Sequence, residues 1–191
     1  MTDAAPSRPL SDLRPLWYDF IMADPPWLFR NRSAAGEAKN ASAHYRCMPI
    51  DEIQALPVRD LAARDCVLWL WATNPTLDQA IDTVRAWGFT FKTAGHWVKR
   101  TKTGKLGFGT GYILRSAGEP FLIATLGEPV FAKNVRSVIE GELREHSRKP
   151  EEAYVEAARM CPKAIRRLDL FSCQVRPGWD WFGDEADKFT A

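Results

Sequence analysis

Short apolar runs of strand length alternate along this chain with helical patterns, and this alternation constrains the fold more than any other feature. The runs cover Trp17–Ala23, Cys66–Trp71, Phe89–Val98, Phe121–Leu126 and Ile165–Phe171. Runs of this length that are rich in apolar residues are typical of buried strands. Strands that alternate with helices predict an α/β domain with a mostly parallel sheet.

Two helices are expected between these runs. The first covers Thr76–Trp87, where apolar residues recur at helical spacing, and Gly88 ends it. The second covers Pro150–Met160, with Glu151 and Glu152 in its first turn, where acidic side chains suit the helix dipole. The chain therefore contains both element types that an α/β domain needs.

Length and composition exclude several protein classes. The 191 residues are 46% hydrophobic and 26% charged, which fits one domain and excludes a disordered tail or a disulfide knot. We expect a flexible segment at residues 1–16 and a single domain at 17–191. No apolar run reaches the roughly 18 to 20 residues of a membrane span, and no secretion signal is visible.

Cysteine and histidine spacing bears on compartment and on metals. The four cysteines contain no Cys-x-x-Cys pair and, taken as reduced thiols, indicate the cytoplasm. The three histidines show no metal-ligand spacing with cysteine or acidic residues, so no metal site is expected.

The middle of the chain is basic. Residues 99–149 contain ten Lys or Arg and five Asp or Glu, against a net charge of +2 for the whole chain. Lys99, Arg100 and Lys102 are candidates for contacts with nucleic-acid phosphates. Arg30 and Arg32, in the loop after Trp27, are candidates for the same contacts. A solvated hairpin with a chance surplus of positive charge explains the pattern equally well.

The segment Asp24-Pro25-Pro26-Trp27 carries the clearest chemical signal. It follows an apolar strand directly, so it should lie at the carboxyl edge of the sheet, where open α/β sheets bind ligands. The two prolines stiffen it. The Asp24 carboxylate and Pro25 carbonyl could accept both N–H groups of an exocyclic nucleobase amine, while the Trp27 ring stacks on the base. An ordinary proline-rich turn is the alternative.

Several segments in the same order resemble the MT-A70-like family of N6-adenosine and adenine methyltransferases, over about residues 17–187. The similar segments are Asp24–Trp27, His44–Met48 with Asp51-Glu52, Val67–Trp71, Trp97–Lys99, Ser147–Glu152, Leu170-Phe171, Arg176–Trp179 and Gly183–Glu185. Several ordered matches are far more specific than any single one.

The resemblance implies a Rossmann-like class I methyltransferase sheet with helices on both faces. It also implies S-adenosylmethionine as cofactor and a permuted, β-class-like order, with the catalytic motif first and the cofactor strand late. By the same resemblance, Tyr45 lies in a gate loop, and its ring and the Trp27 ring are expected to sandwich the target base between them. The residues that the resemblance and the late strand assign to the cofactor are Asp24, Lys149, Asp169, Phe171, Ser172, Asp184 and Glu185.

Two positions depart from the family pattern. Cys173 stands where the family usually has arginine, and Asp184 stands where it usually has asparagine. A carboxylate can still accept hydrogen bonds from two ribose hydroxyls, so cofactor binding is expected to survive the second change.

The combined hypothesis is a methyltransferase that uses S-adenosylmethionine and acts on adenine N6 in nucleic acid. DNA is favoured over RNA, because the chain looks like a bare catalytic domain without appended RNA-binding modules. A homodimer or a heterodimer is compatible with the family. Two alternatives stay open: a non-catalytic nucleic-acid-binding partner subunit, and a cytosine N4 methyltransferase.

Overall fold

The computed structural model describes residues 10–28, 47–111, 113–145, 147–184, 186, 188 and 189. The strands are β1 Tyr18–Ala23, β2 Ala62–Trp71, β3 Thr90–Arg100, β4 Gly118–Leu126, β5 Val138–Glu142, β6 Arg167–Leu170 and β7 Trp179–Phe182. The α-helices are α1 Ile50–Gln54, α2 Val58–Leu61, α3 Leu77–Ala86 and α4 Glu151–Met160. Short 3-10 helices lie at Leu10–Asp12 and Asn74–Thr76.

The seven strands form one sheet in the order β5-β3-β4-β2-β1-β6-β7. Strand β4 is antiparallel to both of its neighbours, β2 and β3. The other four pairings are parallel. The carboxyl ends of β1, β3 and β6 therefore meet at one edge of the sheet, together with the amino end of β4. The predicted α/β class with a mostly parallel sheet is confirmed.

Alternating side chains of the central strands divide the core into two layers. Ile21 and Ala23 point to the layer that contains α1, α2 and α3, whereas Phe20 and Met22 point to the layer that contains α4. Helices thus cover both faces, as predicted. Full burial of a large apolar side chain contributes about 1.5–3 kcal/mol, so both layers are substantial.

The layer beneath α4 is unusually aromatic. Trp69 stacks on Phe121 with ring centroids 4.0 Å apart, and Trp71 contacts Phe121 and Trp97 edge to face. The three tryptophans are at most 2% exposed. They are core residues, as expected for aromatic residues in predicted strands.

Helix α3 begins and ends through local signals in its sequence. Thr73 and Thr76 form a reciprocal capping arrangement around the preceding 3-10 turn. Gly88 adopts φ 76°, a conformation that favours glycine, directly after the last turn. The Trp87 indole donates a hydrogen bond of 2.9 Å to the Ile53 carbonyl and so joins this end of α3 to α1.

Two strands and two short helices lie outside the sequence-based expectations. Strand β5 alternates exposed and buried residues and includes Glu140 and Glu142, so it lacks an apolar run. Strand β7 has only four residues and follows a turn at Gly178. Helices α1 and α2 are too short to show helical periodicity. Strands of this kind are recognised by their pairing rather than by their composition.

The amino-terminal segment contacts the core from Leu10 onward. Leu13 is 4% exposed in the core, and Leu10 packs against the same layer. The backbone N–H groups of Leu16 and Trp17 donate to the carbonyls of Asp60 and Leu61. The Leu13 N–H donates to the Leu10 carbonyl at 3.1 Å, which places both leucines in one turn. Residues 1–9 lie outside the described part of the chain.

No helix among the described residues is both long and apolar enough to cross a membrane.

Gly95→Ala should destabilise the fold strongly. An added Cβ would lie 2.1 Å from Cζ of Phe121 and 2.7 Å from the Ser137 carbonyl oxygen, and the Phe121 ring is held by its stacking on Trp69. We expect the free energy of unfolding, measured by urea denaturation, to fall by about 1–3 kcal/mol or more. Thr93→Ala, at an exposed position of the same strand, is the control and should change it by less than about 0.5 kcal/mol. Equal effects would contradict this account of the packing.

Candidate active site

Charged residues collect at the edge where the strand ends meet. Asp24 follows β1, Lys99 lies near the carboxyl end of β3, and Asp169 lies near that of β6. Glu119 joins them because β4 runs antiparallel, which places its first residues at this same edge. The Asp24 N–H donates to the Leu170 carbonyl at 3.1 Å, so the segment after β1 stays beside β6.

A cleft lies at this edge, and we call it the edge cleft. Its walls are formed by Asp24, Trp71, Tyr154, residues 147–149 and the segment from Asp169 to Arg176. In this arrangement the cleft is narrow, with internal space for about one water molecule. A larger ligand therefore requires its walls to move apart.

One lysine is shared by two carboxylates in the edge cleft. The Lys149 ammonium lies 2.8 Å from Oδ2 of Asp24 and 2.9 Å from Oε2 of Glu119. Glu119 in turn pairs with Lys99. Two cations and two carboxylates thus form a chain of nearly neutral total charge, and at most about a fifth of each side chain is exposed.

The pKa values of this chain differ because the two carboxylates have unequal partners. Burial by itself would raise the pKa of Glu119, but Lys149 and Lys99 lower it to about 2. Burial raises the pKa of Asp24; Lys149 opposes this shift, whereas Glu119 adds to it. Burial would lower the pKa of Lys149, yet the two carboxylates raise it well above its ordinary value. Asp24 is therefore the carboxylate whose charged form is less well stabilised.

A second polar cluster surrounds the Asp169 carboxylate, which is 3% exposed. The Tyr154 hydroxyl donates to Oδ2 of Asp169 at 2.9 Å, the Ser172 hydroxyl donates to it at 3.0 Å, and Nη1 of Arg176 lies 3.5 Å away. Burial raises the pKa of Asp169 to about 6, although Arg176 and both hydroxyls work against this shift.

Arg176 holds this cluster together. Its guanidinium carbon lies 3.7 Å from the centre of the Tyr154 ring, and Nη2 pairs with Glu151 at 3.1 Å. The side chain is 9% exposed. An arginine that stacks on a ring and binds two carboxylates is a positional anchor for both neighbours.

Backbone conformation around the edge cleft is unusual. Phe171 and Ser147 adopt φ 63° and 67°, which non-glycine residues rarely do, and both line the cleft. A Cβ at Gly183 would lie 2.5 Å from the Ser172 carbonyl oxygen, so this glycine allows β7 to pass close behind the cleft wall. Strained residues of this kind concentrate at functional sites.

The Asp-Pro-Pro-Trp segment is fixed by hydrogen bonds on both sides. The Trp27 N–H donates to the Pro25 carbonyl at 2.8 Å, and the Met48 N–H donates to the Pro26 carbonyl at 2.9 Å. The Trp27 indole donates to the Trp71 carbonyl at 3.0 Å. The expected rigidity of this segment is thus visible in its contacts.

The placement of Trp27 does not support the expected stacking on a base. The side chain is 4% exposed and belongs to the core layer beneath α1–α3, and it is absent from the cleft walls. Its large apolar ring is better stabilised inside the core than at the surface. The Trp27 side chain thus packs in the core, and its indole hydrogen bond joins the segment after Asp24 to Trp71.

The remaining predicted residues lie at different places. Lys99 pairs with Glu119 and belongs to the ion-pair chain, whereas Arg100 pairs with Glu140 at 3.1 Å on the exposed side of the sheet. Lys102 is exposed, and Asp184 is exposed after β7. The predicted residues that lie outside the described part of the chain are Arg30, Arg32, Tyr45 and Glu185.

Sequence reasoning missed Glu119, Tyr154 and Arg176. Glu119 directly precedes an apolar run, so it would have been found if that strand had been assigned as antiparallel. Tyr154 lies one turn into α4, on the face that packs on the sheet. Arg176 stands in one of the segments that resemble the family, but no role was assigned to it. Among the described residues, no group of His, Cys, Asp and Glu is arranged to hold a metal ion.

Comparison with known proteins identifies related chains. The profile of the MT-A70 family matches residues 18–185. The Type II methyltransferase M.MunI of Mycoplasma sp is 28% identical over 187 residues, which cover 88% of this chain and 77% of that protein. The N(6)-adenosine-methyltransferase MT-A70-like of Arabidopsis thaliana is 30% identical over 177 residues, which cover 88% of this chain and 24% of that protein.

A human relative is also much longer than this chain. The N(6)-adenosine-methyltransferase catalytic subunit METTL3 of Homo sapiens is 28% identical over 177 residues, which cover 87% of this chain and 28% of that protein. The chain therefore spans most of the Mycoplasma relative and about a quarter of each of the two longer ones.

Glu119→Gln should reduce the loss of stability in acid. The ordinary pKa of 4.5 falls to about 2 in the folded protein, so the Glu119 carboxylate adds stability that is complete above about pH 4.5 and is lost as the pH falls toward 2. Between these pH values the free energy of unfolding, measured by urea denaturation, should fall by about 3 kcal/mol more in the wild type than in the variant. Glu140→Gln removes an exposed partner of Arg100 and is the control, with a wild-type slope expected. A wild-type slope in Glu119→Gln would contradict the lowered pKa that Lys149 and Lys99 give this carboxyl.

Proposed function

This chain belongs to the MT-A70 family, and from that membership and the edge cleft we propose that it transfers a methyl group from S-adenosylmethionine to N6 of adenine in nucleic acid. DNA is the favoured substrate. Of the three relatives compared, the one whose length this chain mostly spans is a Type II methyltransferase, whereas the two longer ones are named for adenosine, the nucleoside of RNA. A cytoplasmic location and a homo- or heterodimeric assembly remain parts of this proposal.

The observation that carries the proposal is the Asp24 carboxylate, which Lys149 holds in the wall of the edge cleft at 2.8 Å. The exocyclic amine of adenine is a weak nucleophile because its lone pair is delocalised into the ring. A carboxylate and a carbonyl that accept both of its hydrogens favour a pyramidal, nucleophilic form. Asp24 and the adjacent Pro25 carbonyl supply this pair of acceptors.

The Pro25 carbonyl can act in this way although it already accepts a hydrogen bond from Trp27. A carbonyl oxygen has two lone pairs, so one remains for the amine. The same contact, with the indole bond of Trp27 to Trp71, fixes the direction of the carbonyl. A fixed acceptor loses little entropy when the base arrives, which is the main advantage of positioning.

Asp24 is also suited to receive the proton that the amine loses when its new N–C bond forms. Burial raises its pKa and so makes the carboxylate a better base than an exposed aspartate. Lys149 stays charged throughout, because its own pKa is raised. The ammonium therefore holds the carboxylate in place before the proton arrives and stays bound to Glu119 afterwards.

The polar groups of the edge cleft fit the chemistry of S-adenosylmethionine, which supplies an electrophilic sulfonium methyl group when bound. Asp169 offers a buried carboxylate for a cofactor ammonium or hydroxyl, and Trp71 has a buried indole N–H without a partner among the described residues. Lys149 has one N–H beyond its two ion pairs, and Arg148 lies beside it in the wall. Both cations suit a cofactor carboxylate.

The segment around Phe171 and Ser172 completes this proposed cofactor site. The unusual φ of Phe171 turns the chain after β6 so that residues 171–174 form one wall of the cleft. Asp184 and Glu185 remain the proposed partners of the ribose hydroxyls. In place of the arginine that is missing at Cys173, Arg176 supplies the positive charge beside Asp169.

Asp24→Asn should lower the rate of methyl transfer far more than it lowers cofactor affinity. The amide keeps the shape of the side chain but cannot take up a proton, so we expect the rate to fall by about 10²- to 10⁴-fold. The measurement is transfer of labelled methyl to DNA and RNA oligonucleotides, single- and double-stranded, with calorimetry of cofactor binding. Asp78→Asn, at an exposed site on α3, is the control.

Three outcomes would contradict the proposal in different ways. An unchanged rate in Asp24→Asn would remove the assigned role of that carboxylate. A protein that binds nucleic acid but shows no cofactor heat would be a non-catalytic partner subunit. A modified nucleoside with the mass of N4-methylcytosine would keep the amine chemistry but replace adenine as the substrate.

Cofactor affinity should rise as the pH increases through about 6. In the protein without cofactor, the pKa of Asp169 is about 6, and only the ionised carboxylate attracts a cofactor ammonium. We expect calorimetric titration with S-adenosylhomocysteine between pH 5 and 7.5 to show this rise. In Asp169→Asn the affinity should be about 10-fold or more weaker, without that pH dependence. A wild-type profile in Asp169→Asn would exclude this carboxylate from the cofactor site.

A further inference from the structure

The connection between β3 and β4 exposes large apolar side chains. We call residues 101–117 the hairpin loop. Phe108 is 81% exposed, Ile113 is 89% exposed and Leu114 is 82% exposed, and we call these three residues the apolar tip. A single exposed apolar residue is ordinary, but a group of this size within one loop is typical of a surface that meets a partner.

Backbone hydrogen bonds join the described residues of the hairpin loop, 101–111 and 113–117. At its base, the Gly107 N–H donates to the Lys99 carbonyl at 2.7 Å, and the Lys99 N–H donates to the Ala117 carbonyl at 2.9 Å. Further out, the Gly109 N–H donates to the Ser116 carbonyl at 2.8 Å. Phe108 of the apolar tip is thus flanked by two glycines whose N–H groups are hydrogen-bonded to the backbone.

The charge around the apolar tip is entirely positive. Residues 99–118 contain five Lys or Arg and no Asp or Glu. Lys99 and Arg100 are engaged in ion pairs with the body of the protein. Lys102, Lys105 and Arg115 are exposed, and the Arg115 guanidinium carbon lies 5.6 Å from the centre of the Phe108 ring. An apolar surface surrounded by cations complements a polyanion with stacked bases.

The hairpin loop begins and ends beside two residues of the ion-pair chain. Lys99 precedes the loop and Glu119 follows it, and both belong to the ion-pair chain that reaches Asp24 through Lys149. The loop therefore emerges from the same sheet edge as the carboxylate that we assign to the reaction. A nucleic acid that extends along this edge of the sheet would meet the hairpin loop as well as the edge cleft.

We propose that the apolar tip inserts into double-stranded DNA and fills the space that the target adenine leaves when it rotates into the edge cleft. This inference rests on the proposed function. A paired base cannot reach the cleft from within the helix, so it must leave the stack, and inserted apolar side chains compensate for lost stacking. Lys102, Lys105 and Arg115 bind the flanking phosphates and orient the loop.

The test compares a triple variant, Phe108→Ala with Ile113→Ala and Leu114→Ala, with the wild type on the same sequences as duplex and as single strands. The triple variant should methylate duplex DNA at least about tenfold more slowly and single strands within about twofold of the wild type, because only the duplex requires the base to be unstacked. Val155→Ala with Ile165→Ala removes exposed apolar residues elsewhere and is the matched control.

A binding measurement tests the inference without relying on methyl transfer. In fluorescence anisotropy with duplex DNA, the slope of log Kd against log salt should become smaller by about two to three in Lys102→Ala with Lys105→Ala and Arg115→Ala, because each phosphate contact contributes about 0.9. With 2-aminopurine in the duplex, the wild type should raise the fluorescence of an unstacked base, and the apolar-tip variant should not.

The outcomes separate the two proposals. If the apolar-tip variant methylates and unstacks duplex DNA like the wild type, the inference is wrong and the proposed function stands. If the wild type methylates nothing, the proposed function fails, and the anisotropy and 2-aminopurine results still decide the role of the loop. If the variant alters self-association in analytical ultracentrifugation and leaves DNA binding unchanged, the apolar tip is a protein interface and the inference is wrong.

Discussion

The arrangement of the edge cleft depends on one shared cation. Lys149 lies between the carboxylates of Asp24 and Glu119, and its charge offsets part of the cost of burying both of them. Because Glu119 has Lys99 as a second partner, the two acids differ: Glu119 has a lowered pKa and Asp24 a raised one. A buried carboxylate that is fixed in position yet remains basic is the property that methylation of an aromatic amine requires.

The antiparallel strand β4 makes this arrangement possible. In a wholly parallel sheet the amino end of that strand would lie at the opposite edge, far from Asp24. Its reversal brings Glu119 to the carboxyl ends of β1 and β6 and gives the connection from β3 a short return path. The same reversal directs the hairpin loop outward from the edge cleft, so the chemistry and the proposed DNA contact share one structural cause.

The positions of several site residues could be predicted, because their neighbours in the sequence indicate where a strand ends or a helix begins. Asp24 follows an apolar strand and is followed by two prolines, which is enough to place a rigid carboxylate at a sheet edge. Asp169 lies in a late apolar run, and Lys149 precedes the proline that begins a helix. Trp27 could not be assigned in this way, since an aromatic residue after a turn reads equally well as a stacking surface or as core.

The α/β class, the main strands and the carboxylate at the sheet edge follow from local patterns, because periodicity and turn residues act over a few neighbours. The meeting of the charges in the edge cleft depends instead on the packing of distant segments. Glu119 and Lys149 are thirty residues apart, and Arg176 and Tyr154 are twenty-two apart, yet both pairs are in contact. Such contacts arise from strand order and direction, which depend on the packing of the whole sheet rather than on any local pattern.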